Sequence, residues 1–350
     1  GEELRIGIRY LIKEADLMGT LADLSFLADM YLQIVTDLAY EELSNKSSHP
    51  LPNDFAIFGL GKLGGRELNF GSDLDIIFVY DEPESRESSL SQAELISHYM
   101  NYSQLIYQLT SEMTSAGYAY KVDTDLRPDG SRGDLIISVK GYEEYFKTRA
   151  QVWEQQAMTR GRFVAGNPDL GEKFLKIAHD FTYRKKFEYG SLIEISRLRE
   201  RMEKELAAEH KKGKNIKLGF GGLVDIEFTL QILQMMHGYQ NPKLRQTNML
   251  EVLQVVAAYG ILDQAEADRV AKYYFFLRNL ECALRIINQS SSNYLPKDKN
   301  SLAVLARLLG YEGESVEQRA DALLRDYEET TGEVRKFYRK MLDTWLRTAL

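Results

Sequence analysis

Two aspartates one residue apart, Asp73 and Asp75, open an apolar run directly after a glycine-serine turn, Gly71-Ser72-Asp73-Leu74-Asp75-Ile76-Ile77-Phe78. Alternate residues of a strand share a face, so the two carboxylates point one way while Leu74, Ile76 and Phe78 point into a core. Paired carboxylates repel each other unless a cation lies between them. Hard divalent ions take oxygen ligands from carboxylates and substrate phosphates together, and the amides of a glycine-serine turn suit a phosphate oxygen. The chemistry implied is that of a metal-bound nucleotide. Aspartate is disfavoured in strands, so two of them at the head of Ile-Ile-Phe-Val call for a reason.

Gly59, Gly61, Gly64, Gly65 and Gly71 precede the pair closely and allow close approach of backbone to a ligand, with Lys62 among them as a phosphate contact. Further on, Val122-Asp123-Thr124-Asp125-Leu126-Arg127 offers a third carboxylate for a two-metal site. Alternation alone leaves Asp123 and Asp125 equal.

These residues must be held by some framework. Helical periodicity covers residues 3 to 44, and Asn45 to Asn53, with Pro50 and Pro52, reads as a linker. Four strands follow, at Phe55 to Phe58, Leu74 to Tyr80, Tyr118 to Leu126 and Leu135 to Val139. One long helix interrupts them from Ser91 to Ser115, with Ser91 as N-cap, Glu94 completing a capping box and Gly117 beyond its end. No strand is expected after Val139. Helices are predicted at Tyr142 to Arg149, Val152 to Arg160, Ser191 to Glu209, Asp225 to His237, Met249 to Tyr259, Gln264 to Asn288, Ser301 to Leu309 and Ser315 to Leu346. The expected organisation is an N-terminal helical segment (1–50), an α+β catalytic domain (51–165) and a C-terminal helical bundle (166–350).

Composition narrows the partners. Of 350 residues, 44 are basic and 52 acidic, a net charge of −8, which argues against sequence-independent nucleic-acid binding. The single cysteine, Cys282, reads as a small buried hydrophobe and rules out an internal disulfide framework. No apolar stretch reaches membrane-spanning length, so a cytoplasmic protein without a membrane partner is expected. The basic run His210 to Lys217 reads as a solvated loop.

Read together, Gly59-Leu-Gly-Lys-Leu-Gly-Gly-Arg-Glu-Leu-Asn-Phe-Gly-Ser-Asp-Leu-Asp75, Val122-Asp-Thr-Asp-Leu-Arg-Pro128 and Gly221-Gly-Leu-Val-Asp-Ile-Glu-Phe228 resemble the glutamine synthetase adenylyltransferase family, over nearly the whole chain. The resemblance implies a polymerase-beta-like nucleotidyltransferase fold: a mixed sheet with flanking helices, mainly helical overall once the bundle is counted. It matches the family's metal aspartates to Asp73, Asp75 and Asp123, leaving Asp125 second. It matches nucleotide contacts to Gly61, Lys62, Gly71, Ser72 and Arg127. Arg160, Asp225 and Glu227 are implied as supporting residues, although Asp225 and Glu227 also suit a helix start.

The same resemblance implies Mg²⁺, with Mn²⁺ as the alternative ion, ATP as substrate, glutamine synthetase as protein substrate and a PII-type signal protein as regulator of nitrogen metabolism. Whole members look like tandem duplications, one half attaching AMP to a tyrosine and the other removing it by phosphorolysis. Asp125-Leu-Arg-Pro-Asp-Gly-Ser-Arg-Gly133 and Val152-Trp-Glu-Gln-Gln-Ala-Met-Thr-Arg160 look closer to the transferase half, Arg66-Glu-Leu-Asn69 and Asn215-Ile-Lys-Leu-Gly219 to the removing half. Transfer is the favoured direction; removal, or a non-catalytic nucleotide- or signal-binding module, is the alternative.

Overall fold

Strands β1 (Phe55–Gly59) and β2 (Leu74–Tyr80) are apolar along nearly their whole length, the pattern of strands covered on both faces. They pair antiparallel, Phe55 opposite Tyr80 and Gly59 opposite Ile76. The computed structural model describes residues 1–82, 90–113, 117, 119–209, 213–288 and 291–348. On the outer edge of β2, β3 (Val122–Asp123) and then β4 (Ile136–Ser138) pair parallel to it in succession. The outer edge of β1 carries β5 (Arg162–Gly166), antiparallel with a shift in register between Ile57 and Phe58. The result is a five-stranded mixed sheet, as expected for an α+β nucleotidyltransferase-like fold that is mainly helical.

Each face of that sheet buries its own set of side chains. Phe55, Ile57, Leu74, Ile76 and Phe78 pack on helices α2 (Leu17–Lys46) and α4 (Gln92–Ser111) through Leu24, Leu32, Tyr99 and Tyr102. A short helix, α1 (Glu2–Leu11), adds Ile6 to this core. Ala56, Phe58, Ile77 and Val79 pack on α5 (Val139–Thr148), α6 (Val152–Met158) and α7 (Pro168–Thr182), which supply Tyr142, Phe146, Met158 and Phe174. A single turn, α3 (Gly61–Gly64), follows β1.

Three expectations need correction. β5 is a strand after Val139; its residues Arg162, Phe163 and Val164 are only half-buried, so neither alternation nor a continuous apolar run marks it. The third strand shrinks to Val122–Asp123, and Asp125 lies in the turn that follows; Tyr118 lies outside the described residues. Helix α4 has the Ser91 and Glu94 capping box but ends at Ser111, with Glu112 extended. Gly117 therefore does not close it, and 114–116 lie outside the described residues. Helix α7 went unforeseen although Asn167 caps it and Pro168 fills its first turn.

By contacts the chain divides into one unit of 1–6 and 18–183 and another of 7–17 and 184–350. The first therefore includes both α2 and α7, on either side of the 51 and 166 boundaries expected from sequence, because both helices pack on the sheet. The second is helical: α8 (Tyr189–Arg201) with a π-turn at Met202–Leu206, then α9 (Leu223–His237), α10 (Met249–Ala258), α11 (Gln264–Asn288), α12 (Lys299–Leu308) and α13 (Val316–Thr348). Cys282 is buried in α11, and burial pushes its thiol up to about 12. Of the basic loop, residues 210–212 lie outside the described residues, while Lys214 pairs with Glu328. No described helix is long and apolar enough to cross a membrane.

On α4, His98 is buried against Tyr99 and its Nε2 lies 2.9 Å from the Pro52 carbonyl oxygen, a contact in which Nε2–H donates. Burial disfavours the imidazolium and lowers its pKa below the ordinary 6.5. The unfolded chain then binds this proton more readily, so stability is present above about pH 6.5 and falls as pH drops below it. His98→Gln is expected to flatten that acid-side decline, as read from urea midpoints between about pH 5 and 7.5.

Candidate active site

The site grows from two residues of ladder. β2 and β3 register Leu74 with Val122 and Asp75 with Asp123. Registered residues of a parallel pair share a face about 4.8 Å apart, so Asp123 stands beside Asp75. Asp73, two residues before Asp75, belongs to the same face. Ile77 and Val79 continue that face into the core beneath α5–α7, which leaves the acids at its open end.

Each aspartate has a local partner. The Lys121 ammonium lies 3.3 Å from Asp73 Oδ2, both side chains being substantially exposed. Asp123 Oδ1 accepts the Asp125 N–H at 2.8 Å. Asp75 lies against Gly61, whose φ of +51° and missing side chain make room for it; a Cβ there would overlap Asp75 Oδ2. The Leu60 N–H also donates to the Asp75 carbonyl at 2.8 Å.

Asp125 differs from Asp123 in kind. Its exposed carboxylate sits in the turn, 3.6 Å from Arg127 Nη1. Arg127 itself is buried and spends its donors on its own loop: Nη1 on the Thr124 carbonyl and hydroxyl at 2.9 and 2.8 Å, Nε on the Asp134 carbonyl at 3.1 Å. As placed, it braces the turn after β3. In the preceding loop the Ser72 N–H donates to the Asn69 carbonyl, and Ser72 Oγ accepts the Asn69 N–H, each at 3.2 Å. Gly71 adopts φ +57° with open space around it. Lys62 lies half-buried on α3.

Among the described residues, no three Asp, Glu, His or Cys side chains are gathered tightly enough to enclose a metal ion. The three carboxylates lie instead against Lys121, Gly61 and the Asp125 amide. Their chemistry and register nonetheless fit a hard divalent ion, whose remaining ligands come from substrate phosphates and water.

Sequence reasoning named Arg160 as a supporting residue but overlooked its partner Glu67 and the Glu154–Tyr145 contact. Arg160 is buried and ion-pairs with the buried Glu67. Gly64 is glycine because a Cβ would overlap the Arg160 carbonyl oxygen, and Gly65 because one would overlap the guanidinium. Part of the glycine string therefore admits protein groups rather than ligand. Glu154 of α6 accepts from the Tyr145 hydroxyl at 2.8 Å and the Gln151 N–H at 2.7 Å. Burial raises the Glu154 carboxyl and pushes the Tyr145 phenol to about 12.

Asp225 and Glu227 lie in the second unit, on α9. Asp225 is fully buried: Arg199 Nε donates to Oδ1 at 2.5 Å, Arg335 Nε lies 3.1 Å from Oδ2, and the Gly221 N–H donates to Oδ2 at 3.1 Å. Its carboxylate holds the helix start and two guanidiniums. Glu227, two residues on, points to a different face of the helix.

Comparison with known proteins adds the family context. The family model for glutamate-ammonia ligase adenylyltransferase matches residues 1–177, and that for GlnD PII-uridylyltransferase matches residues 194–342. A protein of Hahella chejuensis is 31% identical over 314 residues, covering 88% of this chain and 32% of its own length. One from Stenotrophomonas maltophilia is 32% identical over 302 residues, covering 85% and 32%. Both are named bifunctional glutamine synthetase adenylyltransferase/adenylyl-removing enzyme, as is a relative from Pseudomonas syringae pv. tomato at 30% identity. The chain spans about a third of the length of these relatives.

Two substitutions check the support. Arg160→Met strands the Glu67 carboxylate and should destabilise by about 3–5 kcal/mol, with much of the loss recovered in Glu67→Leu/Arg160→Met. Gly64→Ala should cost about 1–3 kcal/mol from overlap. Denaturant midpoints read both.

Proposed function

Because the chain belongs to the glutamate-ammonia ligase adenylyltransferase family, we propose that it is a nucleotidyltransferase unit that moves AMP from ATP to a tyrosine hydroxyl of glutamine synthetase. The observation that carries this reading is the pairing of Asp75 with Asp123, beside Asp73, at the open end of one sheet face. Under it, Asp73, Asp75 and Asp123 would hold Mg²⁺. The bound ion supplies charge neutralisation for the leaving group and acidifies an oxygen ligand.

The remaining roles fall to the chain itself. Lys62 and the Gly71-Ser72 turn contact the nucleotide phosphates, while Gly61 lets Asp75 reach its position. The tyrosine oxygen forms its bond to the α-phosphorus as the bond to the β-phosphate oxygen breaks in line. Pyrophosphate departs with the electron pair, and the phenolic proton is released. Arg127 keeps the turn after β3 in place, and the Glu67–Arg160 pair holds the glycine string. Asp125 stands as the alternative carboxylate. The transferase-like strings from Asp125 to Gly133 and from Val152 to Arg160 favour attachment over removal.

The match of residues 194–342 to the PII-uridylyltransferase model supports a PII-type signal protein as regulator of this chain. A soluble site of action in the cytoplasm completes the reading.

The deciding experiment supplies α-labelled ATP, Mg²⁺ and unmodified glutamine synthetase in one arm, adenylylated synthetase and phosphate in the other. Label on the synthetase is expected; ADP release alone would reverse the direction, and neither would leave a binding module. Asp73→Asn and Asp75→Asn should each lower transfer at least about a thousandfold, the scale on which lost electrostatic stabilisation acts, with unfolding midpoints unchanged or raised. Retained transfer in both would sink the assignment.

A further inference from the structure

Helix α2 has two apolar faces, and among the described residues one is buried and the other exposed. Leu24, Ala28, Leu32, Val35 and Ala39 are buried in the core beneath β1 and β2. Phe26, Met30, Ile34 and Leu38, on the outer side, are 66, 45, 52 and 54% exposed. Steps of four residues fall one above another on a helix, so these four form a continuous stripe about 18 Å long. A solvated helix face is ordinarily polar, and a contiguous exposed apolar patch marks an interaction surface.

Other faces of α2 tie the helix to the loop that carries the aspartates and to β5. Ser25, next to Phe26, accepts the Leu68 N–H at 2.9 Å and donates to the Leu21 carbonyl at 2.8 Å. Leu68 lies five residues before Asp73 in the chain. Asp29, the neighbour of Met30, accepts both Arg162 terminal nitrogens of β5 at 2.8 Å. The stripe is thus fixed to the same framework as the Asp75–Asp123 pair.

Its charge selects the occupant. At 100° per residue, Asp23 lies on the stripe's face at one end, Asp37 and Glu41 at the other. Two copies laid α2 on α2 would set Asp23 against Glu41 in antiparallel order, and like on like in parallel order. Both arrangements repel. A partner with an apolar centre and basic groups at its rim fits instead. A metal-phosphate site also contacts little of an acceptor beyond its phenol, so the affinity for a protein substrate must come from surface outside the site.

We propose that the α2 stripe, Phe26, Met30, Ile34 and Leu38, docks the protein that presents the acceptor tyrosine, through an apolar patch rimmed by Lys or Arg. The inference rests on the adenylyl-transfer reading above for the identity of that protein.

Sedimentation velocity of the chain with unmodified glutamine synthetase tests it. Met30→Ser/Ile34→Ser and Asp37→Lys/Glu41→Lys are each expected to weaken binding at least about tenfold, as central apolar and complementary charged contacts do. Circular dichroism melting should stay near wild type. In the transfer assay, KM for synthetase should rise in step while kcat at saturating synthetase and KM for ATP hold. Binding within about twofold of wild type, absence of wild-type binding, or self-association as the only property the variants lose would each overturn the proposal. Stripe-dependent binding without any label transfer would instead sink the catalytic reading and leave the docking surface standing.

Discussion

Everything distinctive about the first unit depends on a parallel ladder two residues long. Among the described residues, Leu74 with Val122 and Asp75 with Asp123 are the registered pairs of β2 and β3, yet they bring a carboxylate from 48 positions away beside the head of β2. The arrangement sets like charges on one open edge, which is unfavourable by itself. It persists because the other face of the same residues is buried: Leu74 and Val122 anchor the ladder in the core under α2 and α4. Hydrophobic burial on one side of the pleat thus holds acidic residues together on the other.

The glycine string before β2 shows a second use of the same economy of space. Gly61, Gly64 and Gly65 each adjoin a specific protein group: the Asp75 carboxylate, the Arg160 carbonyl and the Arg160 guanidinium. A loop dense in glycine is usually read as a cradle for ligand. Here much of its smallness serves the approach of a buried ion pair and of an acidic side chain. Gly71, with open space around it, is the member whose position is set by its turn alone.

The second unit uses charge differently. Buried Arg199, Asp225 and Arg335, with half-buried Glu203, form a network that fastens the Gly219–Gly222 loop to the start of α9, and Gly221 passes against the Thr331 carbonyl where no Cβ would fit. Such networks add little net stability over an apolar core, but losing one partner is costly. Aspartate in the first turn of a helix looks alike in sequence whether it serves a ligand or a neighbouring guanidinium. Arg199 and Arg335 lie 26 residues before and 110 after Asp225, so nothing local reveals the pairing.

What the sequence alone determined is local: β1 and β2 by their apolar runs, α4's start by Ser91 and Glu94, α11 by its bounds at Gln264 and Asn288, and the spacing of Asp73 and Asp75. These follow from backbone periodicity and capping, which act within a few residues. β5 escaped because half-buried edge residues carry no strong period, and α7 escaped despite the Asn167-Pro168 signal at its start. That Asp123 lies in the ladder and Asp125 in the turn belonged to the tertiary structure, since alternation treats them alike and only the pairing with β2 ends the strand between them. The Glu67–Arg160 pair and the exposed apolar face of α2 likewise emerged only on folding, because long-range packing decides which charges meet and which apolar residues stay in water.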